Sequence, residues 1–431
     1  MGENTQELAD HGLYCSHPRK LLSCSFFVLF TLSLIYFIFY SSPSSFASYA
    51  DLFDKFKTQG AAKNISSPPP PPQAWLQCDY SDGKWLWDDS VTGPRYDSES
   101  CDMKSTEKCV VNGKPDKGYL HWRWQPADCS LPALDPAGFL RLVRGKRLAF
   151  VGDSTARNQA EALVCHLSTV ARPATAHRYE ERLGRKFWRW VFPAPHSVTV
   201  STYWSPLLVR AEGRSEDYSM TQQAVILDEL TEPWAADADA MDVVVVSAAH
   251  WFPRPAMYYE DGEVVGVYSR PDVNKTDIGY LGAYRKVLRR TLEYINANST
   301  GDKLVAVATI APGHFDLARS WDHRDACSRT EPYEAREAEV AAADAEMRKV
   351  VLEEVAAAAG RRRRGVRFEA LDVTRLATLR PDGHPGPYLF AHSYDWRPVP
   401  ETVANDCLHW CAPGIVDTFN DMLTKMIVAG G

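Results

Sequence analysis

The sequence predicts an α/β protein with a doubly wound parallel sheet. Two observations carry this reading. Continuous runs of β-branched and apolar residues recur along the chain: Arg147 to Val151, Asp242 to Ser247, Lys303 to Ile310 and Val366 to Val373. Such runs suit parallel strands covered on both faces. Between and beyond them lie segments with helical patterning, at Asn158–Val170, Ile278–Asn296, Glu334–Ala358 and Ile415–Val428. Strands alternating with helices imply a sheet with helices on both faces, and ligands on such sheets bind beyond the carboxyl ends of the strands.

The elements before the sheet follow from composition. Leu21 to Tyr40 is apolar and close to the roughly 20 residues that span a bilayer as a helix. Arg19 and Lys20 precede it, and no basic residue follows until Lys55. The expectation is therefore a signal anchor at 21–40, a cytoplasmic tail at 1–20 and a lumenal remainder. A cleaved signal peptide is the alternative, weakened by the length of the run and by the lack of a small-x-small site at its end. Residues 41–75 are rich in Ser, Ala, Lys and Pro, include the run Pro68 to Pro72, and read as a semi-extended stem. Residues 76–130 hold four cysteines together with Trp85, Trp87, Trp122 and Trp124. This segment is too short and loop-rich to fold alone, so it is expected to pack on the domain at 131–431.

Of the 10 cysteines, all but Cys15 and Cys24 follow the anchor, and an even number in a secretory context reads as disulfides. No CxxC pair supports a metal site, so none is expected. Sequons at Asn64, Asn274 and Asn298 suit the lumen. The formal net charge of -7 gives no reason to expect a nucleic-acid partner. Arg361 to Arg364 reads as a solvated loop.

Two motifs carry chemistry. Gly152-Asp153-Ser154 ends an apolar strand run, and Asp406-Cys407-Leu408-His409 lies near the C-terminus. A serine hydroxyl becomes a nucleophile when an imidazole takes its proton and a carboxylate orients that imidazole. At a strand-to-helix turn, Ser154 would sit where backbone N–H groups can stabilise an oxyanion. Each motif has a plain structural alternative: Ser154 as a helix cap and His409 as a buried core histidine. Together they point to acyl transfer through an acyl-serine.

Gly152-Asp153-Ser154-Thr155-Ala156-Arg157-Asn158, the stretch Asp406 to Gly414 and Trp122-Arg123-Trp124-Gln125-Pro126 resemble the plant trichome birefringence-like family. Its members are Golgi polysaccharide O-acetyltransferases with an SGNH/GDSL-esterase-like fold. The resemblance covers about residues 76–430 and keeps the order anchor, stem, Cys/Trp-rich segment, GDS and DxxH. It implies Ser154 as nucleophile, His409 as base and Asp406 as its orienting acid. It also implies the disulfides Cys78–Cys129, Cys101–Cys165, Cys109–Cys411 and Cys327–Cys407.

Gly152, Asp153, Arg157, Asn158, Ser247 and His250 become candidates for the oxyanion and substrate region. One departure stands out: many members have Asn-Thr-Gly-His-Trp where this chain has Ser247-Ala248-Ala249-His250-Trp251, which puts a third oxyanion donor in doubt. Asp372 and Arg380 to Pro385 resemble a further family segment, with His384 a candidate substrate contact. Cys327-Ser328-Arg329-Thr330 is closer to the xyloglucan branch than to the xylan branch.

The expected function is acetylation of a hemicellulose, xyloglucan first and xylan as the alternative, with no bound cofactor and an acetyl donor as substrate. Acetyl-CoA is cytoplasmic, so a lumenal enzyme implies a carrier, such as a multispanning membrane partner. An acetyl esterase and a non-catalytic wall-binding protein are the rival readings.

Overall fold

The computed structural model describes residues 78–180 and 186–430. The tail, the anchor at 21–40, the stem and Asn64 lie outside the described residues. Among the described residues no helix is long and apolar enough to cross a membrane.

In chain order the elements are β1 (Gly83–Trp87), β2 (Trp122–Pro126), α1 (Pro136–Leu142), β3 (Arg147–Gly152), α2 (Ser154–Leu167), β4 (Thr175–Glu180), β5 (Lys186–Phe192), β6 (Val198–Trp204), β7 (Val209–Gly213), β8 (Gln223–Leu230), α3 (Glu232–Asp237), β9 (Val243–Ser247), β10 (Ala256–Glu260), β11 (Glu263–Tyr268), α4 (Leu281–Asn298), β12 (Lys303–Ala308), α5 (Ala342–Gly360), β13 (Val366–Leu371), α6 (Thr374–Thr378) and α7 (Ile415–Val428).

The main sheet has the order β13-β12-β9-β3-β6-β5-β4. Its first five strands pair in parallel, and β5 and β4 add an antiparallel edge. The four apolar runs form β3, β9, β12 and β13, and each feeds both faces. Leu148, Phe150, Val243, Val245, Leu304 and Ala306 enter one core with α1, α2 and α7. Ala149, Val151, Val244, Val246, Val305 and Val307 enter the other with α3, α4 and α5. That two-sided burial is why these strands read as continuous rather than alternating.

The purely parallel expectation needs correction. Besides the antiparallel edge, β11-β10-β8-β7 form a separate mixed sheet. β4 to β8, β10 and β11 lie in stretches where mixed polar and apolar residues gave no long run to read. Helix bounds also move. α2 starts at Ser154, four residues ahead of expectation, because Asp153 caps it by accepting from the Thr155 N–H at 2.9 Å. α5 starts at Ala342 rather than Glu334: residues 335–337 form only a single turn, in which the Glu337 carboxylate accepts from the Glu334 N–H at 2.7 Å and from Arg329 at 3.0 Å.

The Cys/Trp-rich segment packs on the main domain. β1 and β2 form a two-stranded antiparallel ladder in which Trp85 faces Trp124, with ring centroids 5.3 Å apart. The Trp85 indole donates to the Leu376 carbonyl at 2.9 Å, and the Arg380 guanidinium lies over its ring at 4.3 Å. The structure carries the disulfides Cys78–Cys129, Cys101–Cys165, Cys109–Cys411 and Cys327–Cys407, the same pairs that the resemblance implies. Asn274 and Asn298 are exposed, and so are Arg361 to Arg364.

At the end of the β3–β9 ladder Gly152 pairs with Ser247. Its φ is 150°, and a Cβ there would stand 1.7 Å from the Ser247 carbonyl oxygen. Any side chain must push the two strand ends apart where Ser154 begins. Gly152→Ala is expected to lower stability by about 1–3 kcal/mol or more, with activity per folded molecule falling too, measured by urea denaturation and initial rates on one preparation.

Candidate active site

Ser154 opens α2 just beyond the carboxyl end of β3. Its Oγ lies 2.6 Å from His409 Nε2. His409 Nδ1 donates to Asp406 Oδ2 at 2.7 Å, while the other carboxylate oxygen of Asp406 accepts the N–H groups of Leu408 at 3.1 Å and His409 at 2.8 Å. Burial works to raise the Asp406 pKa, yet the His409 charge and these hydrogen bonds hold it below the usual carboxylate range. The carboxylate therefore stays ionised, fixes the tautomer and leaves Nε2 to accept the serine proton. As the first residue of its helix, Ser154 also carries one of the N–H groups that have no intrahelical acceptor.

The remaining candidates divide into groups. Asp153 is a buried brace. One oxygen accepts from Thr155 N and Oγ1, the other from the N–H groups of Ala249 at 3.1 Å and His250 at 3.2 Å. Burial opposes its charge, but contacts with His250 and Thr155 keep it ionised below the usual range. His250 donates from Nε2 to the Ala311 carbonyl at 3.0 Å, and its Nδ1 lies 3.5 Å from Asp153. Burial lowers its pKa and Asp153 outweighs that, leaving it raised. Ser247 Oγ lies 3.1 Å from Thr155 Oγ1, so its hydroxyl belongs to the brace around Asp153.

Arg157 and Asn158 need correction as oxyanion or substrate groups. Arg157 is buried and donates to the Glu107 carboxylate, with Glu161 3.7 Å away. Asn158 donates to Glu107 at 2.8 Å and to the Trp410 carbonyl at 3.1 Å, and accepts from the Trp410 N–H at 3.0 Å. Asn158 holds the DxxH loop against α2 directly, and Arg157 does so through Glu107. His384, at 1% exposure, cannot reach a substrate; its Nδ1 donates to the His409 carbonyl at 2.8 Å. Asp372 pairs with Arg348 at 2.6 Å.

Glu107 escaped sequence reading. It is fully buried, and its carbonyl also accepts the Ala412 N–H at 3.0 Å. Flanked by Thr106 and Lys108, it looks like a surface residue; only its place between Cys101 and Cys109 hinted otherwise. Among the described residues no group of three or more His, Cys, Asp or Glu side chains could hold a metal ion.

Residues 131–426 match the PC-Esterase model, the GDSL/SGNH-like acyl-esterase family found in Pmr5 and Cas1p. The chain belongs to the PC-Esterase family. Residues 76–130 match the PMR5 N-terminal domain, which is the segment that supplies Glu107. Among relatives of this PC-Esterase, Xyloglucan O-acetyltransferase 1 of Arabidopsis thaliana is 44% identical over 81% of this chain and 80% of its own. Xyloglucan O-acetyltransferase 1 of Populus trichocarpa is 39% identical over 96% of this chain and 94% of its own. Protein trichome birefringence-like 23 of Arabidopsis thaliana is 37% identical over 82% and 81%.

Glu107→Ala would remove the hydrogen-bonded partner of buried Arg157, leaving only the Glu161 carboxylate at 3.7 Å, and would strip the Asn158 amide of an acceptor. Removing one partner of a buried ion pair costs about 3–5 kcal/mol, so a loss of that order in unfolding free energy is expected from denaturant titration. A change below about 1 kcal/mol would show that water replaces the carboxylate.

Proposed function

We propose that this chain is a polysaccharide O-acetyltransferase that acetylates hydroxyls of xyloglucan through an acetyl-serine intermediate. The 2.6 Å contact between Ser154 Oγ and His409 Nε2 carries the chemical part. Relatives named xyloglucan O-acetyltransferases support the substrate.

In this mechanism His409 takes the Ser154 proton as Oγ attacks the acetyl carbonyl of the donor. The Ser154 N–H at the head of α2 faces the developing oxyanion. The tetrahedral species collapses, the donor's leaving group departs with the proton from His409, and acetyl-Ser154 remains. A sugar hydroxyl then gives its proton to His409 and attacks the acetyl carbon. Collapse forms the sugar ester, and the proton on His409 returns to Ser154. Asp406 stabilises the imidazolium in both halves.

The same reading places the catalytic domain in the Golgi lumen behind a single anchor at 21–40, as a type II membrane protein with glycans on its sequons. Disulfides suit that oxidising compartment, and Arg19 and Lys20 set the orientation. The acetyl group would arrive from a carrier, with a multispanning membrane protein as its source.

The test is mass spectrometry of hemicellulose oligosaccharides incubated with the full chain and an acetyl donor. Acetylated xyloglucan fragments are expected. Acetylation of xylan fragments alone would replace the substrate, and release of acetate from acetylated fragments without transfer would make the chain an esterase. Ser154→Ala should lower transfer by several orders of magnitude with an unchanged melting temperature; retention of a tenth of the wild-type rate would remove it as the nucleophile. Asp406→Asn should cost about 10⁴-fold in turnover, as the equivalent change does in a serine protease. An unchanged rate per folded molecule would leave a Ser–His dyad.

A further inference from the structure

A chain of histidines runs behind the catalytic loop. His314 Nε2 lies 2.9 Å from the Thr378 carbonyl oxygen, His314 Nδ1 lies 2.7 Å from His384 Nε2, and His384 Nδ1 lies 2.8 Å from the His409 carbonyl oxygen. Carbonyl oxygens only accept, so both outer ring nitrogens must carry hydrogen. The inner contact needs one more, because two lone pairs would otherwise face each other. Three N–H groups are required, and two neutral imidazoles bring two.

We propose that His314 and His384 share one extra proton, and that this buried monocation positions the backbone of His409. The inner hydrogen is the shared one, and the outer two tie Thr378 to the catalytic loop. Trp410 supplies a site for the charge: its ring stacks on His384 with centroids 4.1 Å apart and meets His314 edge-on at 6.0 Å. An aromatic face attracts a cation.

Charged and titratable groups surround the pair from several elements. Asp406 and Asp382 favour the proton, and Lys114, Arg380 and burial oppose it. Asp382 is also held by Arg380 at 2.8 Å, and Lys114 donates to its carbonyl at 2.6 Å. Tyr333 lies 6.2 Å from His314 and is capped by Arg329. Burial comes first for both histidines and keeps them below the ordinary imidazole range. The pair thus holds its proton toward acid and gives it up as pH rises. Once the proton leaves, one of the three contacts sets lone pair against lone pair and must open. The His409 carbonyl then loses a fixed distance to the domain.

The proton count rests on the geometry alone; its bearing on catalysis rests on His409 as the base. Nuclear magnetic resonance of the full chain, labelled with ring-¹⁵N histidine, separates the two. Coupling between Nδ1 of His314 and Nε2 of His384 across the shared hydrogen identifies the pair. Three protonated nitrogens are expected in acid, falling to two as pH rises. Two protonated nitrogens at every pH where the chain is folded would overturn the proposal.

The positioning role is read from His384→Gln. Its amide carries two N–H groups on one nitrogen and can fill both contacts without an added proton. The wild-type profile of kcat against pH should contain an ionisation that this variant lacks. A uniformly lower rate with the same profile shape would reduce the pair to a structural part.

Discussion

The buried ion pair between Glu107 and Arg157 holds the two halves of the site together. Arg157 lies one turn into α2, behind Ser154, where burial opposes its charge and the Glu107 and Glu161 carboxylates outweigh that, raising its pKa. A cation there is tolerable only with a partner, because an unpaired buried charge is very costly. The partner comes from the Cys/Trp-rich segment. Glu107 also takes the Asn158 amide and, through its own carbonyl, the Ala412 N–H. One residue therefore touches the nucleophile's helix and the loop of the base. The Cys/Trp-rich segment thus supports the candidate site through Glu107 rather than standing apart from it.

The DxxH loop is fixed from all sides in the same spirit. Its backbone bonds to Gly386, His314 and Gly383, to Asn158 and His384 through their side chains, and through two disulfides to Cys327 and Cys109. Asp406 and His409 lie three residues apart on this loop, so their contact is local. The serine must be brought from 255 residues away, and that demands a rigid frame on both sides. The Asp153 brace supplies it on the strand side and the Glu107 pair on the helix side.

The Ser154–His409–Asp406 contact was legible because its residues are concentrated in two short motifs at a strand end and near the C-terminus. β3, β9, β12 and β13 were legible because both faces are buried, which leaves an apolar run in the sequence. The edge strands β4 and β5 and the adjoining β6 were not, since a segment such as Val198–Trp204 carries Thr199, Ser201 and Thr202 among its apolar residues and so shows no continuous apolar run, although it is buried. Arg157 and Asn158 were misread as substrate groups because a polar residue beside a nucleophile looks the same whether it faces the ligand or the interior. Glu107 could not be found at all: nothing in Lys104-Ser105-Thr106-Glu107-Lys108 distinguishes a buried carboxylate from a solvated one. The anion that neutralises Arg157 is set by long-range packing, which local pattern does not encode.

The Cys109–Cys411 bridge spans 302 residues, and this governs the order in which the protein can mature. Synthesis runs from the N-terminus, so Cys78–Cys129 and Cys101–Cys165, with separations of 51 and 64, can close while the chain is still emerging. Cys109 then waits as a thiol until the last segment appears, with Cys327, which waits for Cys407, available as a wrong partner. Thiol exchange takes seconds to hours and depends on an isomerase. A chain that stops before Asp406 lacks the whole DxxH loop, and it leaves Cys109 and, once made, Cys327 without their partners.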